Sequence, residues 1–386
     1  MSDLGTHARL ARSNAQLPVH VYFDEALLQR EMQQLFRNGP RYVGHELMVP
    51  NIGDFTTLAS ENEGRMLVRN AQGIELLSNV CRHRQALMFN GRGNANTIVC
   101  PLHRWTYDLK GELIGAPHFP ETPCLNLPKA PLQSWNGLLF EQNGYNVMDK
   151  LKDMSVTKDL DFTGYMLDHV EVHHCDYNWK TFIEVYLEDY HVEPFHPGLG
   201  GFVSCDDLRW EFGADYSVQT VGVNRGLKKS GSDVYQRWHE QVLKFRNGEA
   251  PPFGAIWLTL YPNIMVEWYP HVLVVSTLWP EGPNRTKNVV EFYYPKRSCC
   301  SSGSSWTRNA PPTWKRPSRM TRSRCAWMRA ARSCWIAAHR TRGPTRARWK
   351  TACSTSTNGI EVKSPYKQNQ QRGDRSGSQR TVPSVI

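Results

Sequence analysis

Two short loops, each offering one cysteine and one histidine, constrain this chain more than any other feature. Cys81-Arg-His83 is followed, after residues 84–99, by Cys100-Pro-Leu-His103. Two thiolates and two imidazoles are the ligand set of a [2Fe–2S] centre that has two cysteines on one iron and two histidines on the other. A Cys2His2 zinc site uses the same ligands, but zinc fingers usually keep like ligands together, and here each loop is mixed. Four unrelated buried residues would not explain two matched loops.

The loops lie within a stretch of short β-rich runs. Between residues 41 and 147, runs such as RMLVRN, IELLSNV and TIVCP are separated by Gly, Asn, Asp and Pro, a pattern typical of a small antiparallel β domain. Before it, residues 1–20 form a polar leader, and residues 23–37 place apolar side chains at helical spacing. The sequence therefore predicts a leader and helix over residues 1–40 and an iron–sulfur domain over residues 41–150.

A second candidate metal site lies at residues 178–197, NWKTFIEVYLEDYHVEPFHP. Glu188 precedes His191 by three residues, so on a helix the two share a face, whereas Asp189 is expected to face away. A proline before His196 ends or kinks the helix and turns that imidazole toward the first. Two imidazoles and a carboxylate with open positions left over hold ferrous iron for oxygen chemistry. The alternative is two histidines packed in an aromatic-rich core helix.

These motifs resemble a known family. CRHRQALMFNGRG and CPLHRWTYDLKGEL are similar to the two cluster loops of Rieske domains, and the residue 178–197 motif resembles the iron-site helix of Rieske non-haem iron oxygenases. The chain is thus identified as a member of the ring-hydroxylating terminal oxygenase (alpha) subunits, over roughly residues 20–295. The family commonly has Asp where this chain has Glu188, and a glutamate resembles the subgroup of choline monooxygenase and carnitine oxygenase.

The resemblance implies an α+β fold, an all-β Rieske domain followed by a helix-grip (START-like) catalytic domain over residues 151–295. It implies a mononuclear Fe(II) held by His191 and His196, and Glu188 bridging a cluster histidine of one subunit to an iron histidine of its neighbour. It also implies a [2Fe–2S] cluster. The implied cluster ligands are Cys81, His83, Cys100 and His103.

The implied activity is that of an EC 1.14 oxygenase, a monooxygenase or a dioxygenase. It would use O2 to hydroxylate or demethylate a small organic substrate, either aromatic or quaternary-ammonium. No nucleotide-binding fingerprint occurs in the chain, so electrons from NAD(P)H are expected to come from a separate flavin/iron–sulfur reductase. The family implies a homotrimer.

Four strands are predicted between residues 255 and 294, a meander that forms an antiparallel sheet under the iron-site helix. Several aromatic residues in this region either line a substrate pocket or fill the core, and the sequence leaves both open. They are Tyr186, Phe195, Trp257, Trp268 and Tyr269.

The last segment, residues 296–386, differs from everything before it. Residues 297–386 hold 19 Lys and Arg against only Glu361 and Asp374, and residues 292–360 contain no acid. Reading GC-rich codons one base out of frame gives strings with acids and helical periodicity, among them DDEIALRMD over residues 320–328. The segment is therefore predicted to be disordered and frameshifted. The family's third iron ligand is a late carboxylate, and Met320 and Thr321 offer none, so no third ligand is predicted.

The remaining composition excludes several classes. No run of 18 apolar residues and no signal peptide occur, so a cytoplasmic protein without a membrane partner is expected. The net charge of +10 comes entirely from the segment after residue 296, so it does not indicate a basic binding surface on the rest of the chain, and no nucleic-acid partner is predicted. The alternative function is a catalytically dead electron-transfer or binding protein, because the third iron ligand is missing.

Overall fold

The computed structural model describes residues 17–189, 192, 199, 202–224, 240, 242–243, 246–270 and 272–295. Helix α1 (Glu25–Glu31) is capped by Asp24, whose Oδ1 accepts a hydrogen bond from Leu27 N at 2.9 Å, and it continues into a π-helical turn (Met32–Phe36). This confirms the helix predicted for residues 23–37. Single 3-10 turns lie at Val19–Tyr22, Glu46–Met48, Ala59–Glu61 and Ser155–Lys158.

Residues 41–141 form three small antiparallel sheets, as the short β-rich runs predicted. The sheets have the strand orders β1-β11-β10, β5-β2-β3-β4-β9 and β6-β7-β8. The strands are β1 (Arg41–His45), β2 (Asp54–Thr57), β3 (Arg65–Asn70), β4 (Gly73–Ser78), β5 (Arg92–Asn94), β6 (Ile98–Val99), β7 (Thr106–Tyr107), β8 (Leu113–Gly115), β9 (Lys129–Ala130), β10 (Leu132–Trp135) and β11 (Leu138–Glu141). The first cysteine–histidine loop lies between β4 and β5, and the second lies between β6 and β7, so both loops are connections between strands.

The second half contains a seven-stranded antiparallel sheet of order β12-β18-β17-β16-β15-β14-β13. Its strands are β12 (Tyr165–Cys175), β13 (Val203–Phe212), β14 (Tyr216–Val223), β15 (Ala255–Leu260), β16 (Ile264–Tyr269), β17 (Val272–Gly282) and β18 (Arg285–Pro295). Two helices of this half have bounds that the described residues define, α2 (Val147–Leu151) and α3 (Trp179–Tyr186). The four strands predicted from residue 255 onward are confirmed. The predicted tail lies outside the described residues.

The large sheet is covered on both faces. On one face, side chains such as Ile256 and Val275 pack in a core with Tyr42 and Phe140 from β1 and β11. On the other face, Leu278 packs against α3 in a core that also includes α1. Successive side chains of a strand point to opposite faces of the sheet, so alternate residues of each strand pack into the core on one face or the core on the other. Within the described part of the chain, no helix has the length and apolarity needed to span a membrane.

Candidate functional site

The two cysteine–histidine loops close with the same turn. In each loop the cysteine carbonyl accepts a hydrogen bond from the amide four residues later, and the cysteine amide donates to the carbonyl five residues later. These bonds are Gln85 N to Cys81 O (3.0 Å), Cys81 N to Ala86 O (2.9 Å), Arg104 N to Cys100 O (3.0 Å) and Cys100 N to Trp105 O (2.8 Å). The residue four positions after the cysteine has a positive φ in both loops, 58° at Gln85 and 62° at Arg104. Both cysteines are therefore presented by the same local backbone path.

The loops place the thiols inside and the imidazoles outside. Cys81 and Cys100 are only 1% and 2% exposed, whereas His83 is half-buried and His103 is exposed. The two imidazole rings lie 4.7 Å apart between centroids. Nδ1 of His83 is buried and has no hydrogen-bond partner within the described residues, although buried polar atoms usually have one. This donor set fits a cluster held by cysteine on its inner side and by histidine on its outer side.

Burial affects the two ligand types differently. It raises the pKa of the Cys100 thiol, so a cation is needed to stabilise the thiolate there. Desolvation, together with the nearby His103 and Arg84, lowers the pKa of His83. The His83 imidazole is therefore kept in the neutral form that can bind a metal.

Aromatic side chains surround the loops. The His83 ring stacks on Trp105 with centroids 4.9 Å apart and planes 5° apart. The Tyr107 hydroxyl lies 3.6 Å from Sγ of Cys81 and accepts a hydrogen bond from the backbone N–H of Arg82 at 3.2 Å. Burial raises the pKa of Tyr107, so its hydroxyl stays protonated and can donate to sulfur. Sequence reasoning missed Tyr107, although the Trp-Thr-Tyr stretch after the second loop contained it.

A two-iron cluster and a zinc ion place different demands on these four residues. In the ranges that the structure describes, no three His, Cys, Asp or Glu side chains converge on one ion position. A structural zinc site needs four ligands around a single ion, whereas each iron of a Rieske cluster takes two protein ligands. A thiol pair beside an imidazole pair meets the second requirement.

The first residues of helix α3 contact residues that are far away in the sequence. Its N-cap, Asn178, accepts a hydrogen bond from Lys180 N at 3.0 Å and donates from Nδ2 to Pro283 O at 2.6 Å. Lys180 Nζ lies 2.7 Å from Glu31 Oε1, and Trp179 Nε1 donates to Glu31 Oε2 at 3.0 Å. Burial lowers the pKa of Lys180, and the Glu31 carboxylate opposes that shift. A buried ion pair to α1 therefore fixes the start of α3.

The end of α3 differs from the sequence prediction. The helix ends at Tyr186, so Glu188 lies beyond it and the helical spacing that paired Glu188 with His191 does not apply. Glu188 is half-buried, whereas Asp189, expected to face away, is only 7% exposed. His191 and His196 lie outside the described residues. The structure thus brings the four cluster residues together and leaves the predicted iron residues untested.

Strands β1–β11 and the large sheet meet across a cavity of about 280 Å³. Tyr42 and Glu291 line this cavity. The hydroxyls of Tyr42 and Tyr293 both donate to Oε2 of Glu291, at 2.6 and 2.7 Å. Lys287 Nζ donates to the carbonyl of Ser60 at 2.7 Å. Burial raises the pKa of Glu291 to about 7. The interface between the two halves therefore holds a carboxyl group that titrates near neutral pH.

Two family models match the chain. The Rieske [2Fe-2S] domain matches residues 41–131, and the ring hydroxylating alpha subunit (catalytic domain) matches residues 162–333. Putrescine 2-hydroxylase of Ralstonia nicotianae is 69% identical over 296 residues, which cover 77% of this chain and 81% of that protein. Putrescine 2-hydroxylase of Bordetella bronchiseptica is 55% identical over 314 residues, covering 77% and 72%.

Among solved structures, the quaternary ammonium Rieske monooxygenase CntA with L-carnitine has a TM-score of 0.60 at 20% identity. The match covers 81% of this chain and 84% of that chain. At this identity the likeness concerns the fold, a Rieske domain followed by a sheet-based catalytic domain.

Proposed function

The chain belongs to the Rieske oxygenases, as an alpha subunit with a ring-hydroxylating catalytic domain, and on this premise we propose that it hydroxylates a short aliphatic diamine such as putrescine, 1,4-diaminobutane. The predicted family, fold class and oxidoreductase activity are confirmed. The observation that supports the substrate is the 69% identity to putrescine 2-hydroxylase of Ralstonia nicotianae. Aromatic and quaternary-ammonium compounds, which the sequence alone favoured, become the alternatives.

The family carries a Rieske cluster and a mononuclear iron, and this chain offers residues for both. The proposed cluster ligands are Cys81, His83, Cys100 and His103. Their matched turns and the orphaned Nδ1 of His83 support this assignment. His191 and His196 are proposed as iron ligands from the family motif alone. When bound, the cluster supplies single electrons and the iron supplies the place where O2 is reduced.

Glu188 is proposed to accept hydrogen bonds from imidazoles and hold them in position. A carboxylate that accepts the second N–H of a metal-bound histidine fixes its tautomer and ring orientation. By family resemblance, one of these imidazoles belongs to the cluster of a neighbouring subunit in a homotrimer. Insertion of one oxygen atom into a C–H bond consumes O2, two electrons and two protons and releases water. A separate NAD(P)H-dependent reductase is proposed as the electron source.

The second candidate function is electron transfer without oxygenation. It is favoured by the absence of any Asp or Glu from Phe292 to Ile360, where the family places its third iron ligand. The match to the Ralstonia relative covers 77% of this chain, and the part left uncovered is about as long as segment 296–386. The catalytic-domain model, by contrast, matches as far as residue 333. We propose that this segment is out of frame, and sequencing the gene around codon 296 tests this. An intact frame as printed would contradict it.

Turnover and iron content together test these proposals. The purified chain, supplied with NADH and a flavin/iron–sulfur reductase, is expected to add one oxygen atom to 1,4-diaminobutane, detected by mass spectrometry. Choline, carnitine and benzoate serve as comparison substrates, and preferential turnover of one of them would replace the diamine. Iron analysis should give about three irons per chain for an oxygenase, and about two if only the cluster is loaded. About two irons and no turnover would establish the electron-transfer alternative.

A further inference from the structure

Glu267 occupies an unusual place in the seven-stranded sheet. It lies on β16, and among the residues of β15 and β16 it alone is only partly buried. A carboxylate on an inner strand must be hydrogen-bonded, and Glu267 accepts a hydrogen bond from the hydroxyl of Tyr269. Its partial exposure between fully buried neighbours indicates an opening in this face of the sheet.

That face is the one that carries the end of helix α3. Gln219, Trp257 and Glu267 are consecutive partners across β14, β15 and β16, so their side chains share one face. Gln219 Nε2 donates to the backbone carbonyl of Tyr186, the last residue of α3, at 3.1 Å. The row therefore runs beneath the point where the chain leaves α3 toward Glu188.

Polar groups around Glu267 are arranged to orient a ligand. The Tyr269 hydroxyl donates to Glu267 Oε2 at 3.0 Å, and Trp257 Nε1 donates to the Tyr269 oxygen at 3.2 Å. Gln219 is only 1% exposed, and its Oε1 has no partner within the described residues. The hydroxyl of Tyr186 is likewise buried and unpartnered in that part of the chain. Because buried polar atoms are normally hydrogen-bonded, these atoms point to a missing donor.

We infer that Glu267 anchors an ammonium group of the substrate, with Oε1 of Gln219 as a second acceptor. The inference rests on the proposed function and names the residue that would select an amine. A primary ammonium has three N–H donors, and it can satisfy a carboxylate and an amide oxygen at once. Trp257, Tyr269 and Tyr186 belong to one apolar cluster on this face, and their rings would add cation–π contacts to a bound ammonium.

Equilibrium binding tests this directly. Calorimetric titration of the full chain with 1,4-diaminobutane is compared with titration by 1,4-butanediol, which has the same length but no charge. Glu267→Gln keeps the shape of the side chain and an acceptor for Tyr269, and it should weaken diamine binding by roughly 30-fold or more. Binding of the diol should change by less than about threefold, because neutral hydroxyls gain little from the lost charge. Glu267→Asp, which keeps the charge, should retain part of the preference for the diamine.

Glu171→Gln on the edge strand β12 is the matched control and should bind both compounds like the wild type. Folding of each variant is checked by its thermal unfolding and by the visible absorbance of the cluster. If the wild type binds the diamine and Glu267→Gln binds it equally well, the assignment of Glu267 is overturned and the proposed substrate stands. If the wild type binds benzoate or choline in preference to the diamine, both are overturned.

Discussion

The two regions that carry the proposed metal ligands are held in place in opposite ways. The cysteine–histidine loops close on backbone bonds between residues four or five positions apart. Helix α3 is held by contacts that span much of the chain, since Lys180 pairs with Glu31 across 149 residues and Glu184 accepts a hydrogen bond from Tyr22 across 162. A site built from local turns needs little of the remaining chain, whereas α3 requires the N-terminal segment to be in place.

This difference implies separate failure modes. Damage to the loops should remove the cluster and leave the large sheet folded, because the core of the loops is largely separate from that of the sheet. Damage to the contacts of α3 should destabilise the second half and leave the cluster bound. The predictions below test this separation, beginning with the largest effect.

Cys100→Ser should abolish the cluster, because a serine hydroxyl is a far poorer ligand than a thiolate. Visible absorbance of the cluster should fall by more than about tenfold, and the iron content should drop by about two irons per chain, the number that the cluster holds. Cys124→Ser is the matched control, since Cys124 is an exposed free cysteine outside both loops, and it should keep the cluster. Unfolding of the large sheet, followed by tryptophan fluorescence, should change little in either variant. A Cys100→Ser protein with normal cluster absorbance would show that the loops do not hold it.

Glu31→Ala should destabilise the second half by about 3–5 kcal/mol, because it leaves the ammonium of Lys180 buried without its partner. Both residues of the pair are buried, at 6% and 7% exposure. Urea unfolding measures the loss, and cluster absorbance in native buffer should remain. Glu25→Ala, an exposed position on the same helix, should cost less than about 1 kcal/mol. Equal effects of the two variants would mean that the buried pair does not anchor α3.

Glu291→Gln tests the interface that joins the two halves. The pKa of Glu291 is raised by burial to about 7 in the folded protein, above the ordinary value of 4.5. Between pH 4.5 and about 7 the folded state therefore holds a proton on Glu291 that the unfolded state has lost. The free energy of unfolding falls as pH rises through this range and levels off above about 7. Between pH 5 and 8 the wild type should lose about 2.5 kcal/mol of unfolding free energy on this account. The glutamine variant should lack that slope.

A control for the pH experiment lies on the same sheet. Glu281 accepts a hydrogen bond from His174, and this bond lowers the pKa of Glu281. Glu281→Gln should therefore keep the loss of stability that accompanies the rise in pH from about 5 to about 7. If the slope persists in Glu291→Gln, another group is responsible for it.

Much of the loop site could be predicted from the sequence, because its geometry is local. The ligand spacing in Cys81-Arg-His83 and Cys100-Pro-Leu-His103 already indicates two turns, and the structure adds the positive φ at Gln85 and Arg104 that makes the turns alike. The predicted continuation of α3 to Glu188 was wrong because the helix ends at Tyr186. Helical spacing cannot locate the residue at which long-range packing stops a helix.

The sequence alone determined the chemistry of the proposed cluster ligands, the number and order of the late strands and the change in composition at residue 296. Strand alternation also fixed which residues share a face, but not which layer each face meets. Only the tertiary structure separated the aromatic candidates, since Trp257 and Tyr269 face the end of α3 while Trp268 packs on the opposite side of the sheet. It likewise placed Glu267 beside α3 and Glu291 against β1, because the layer a face meets depends on contacts between residues far apart in the chain.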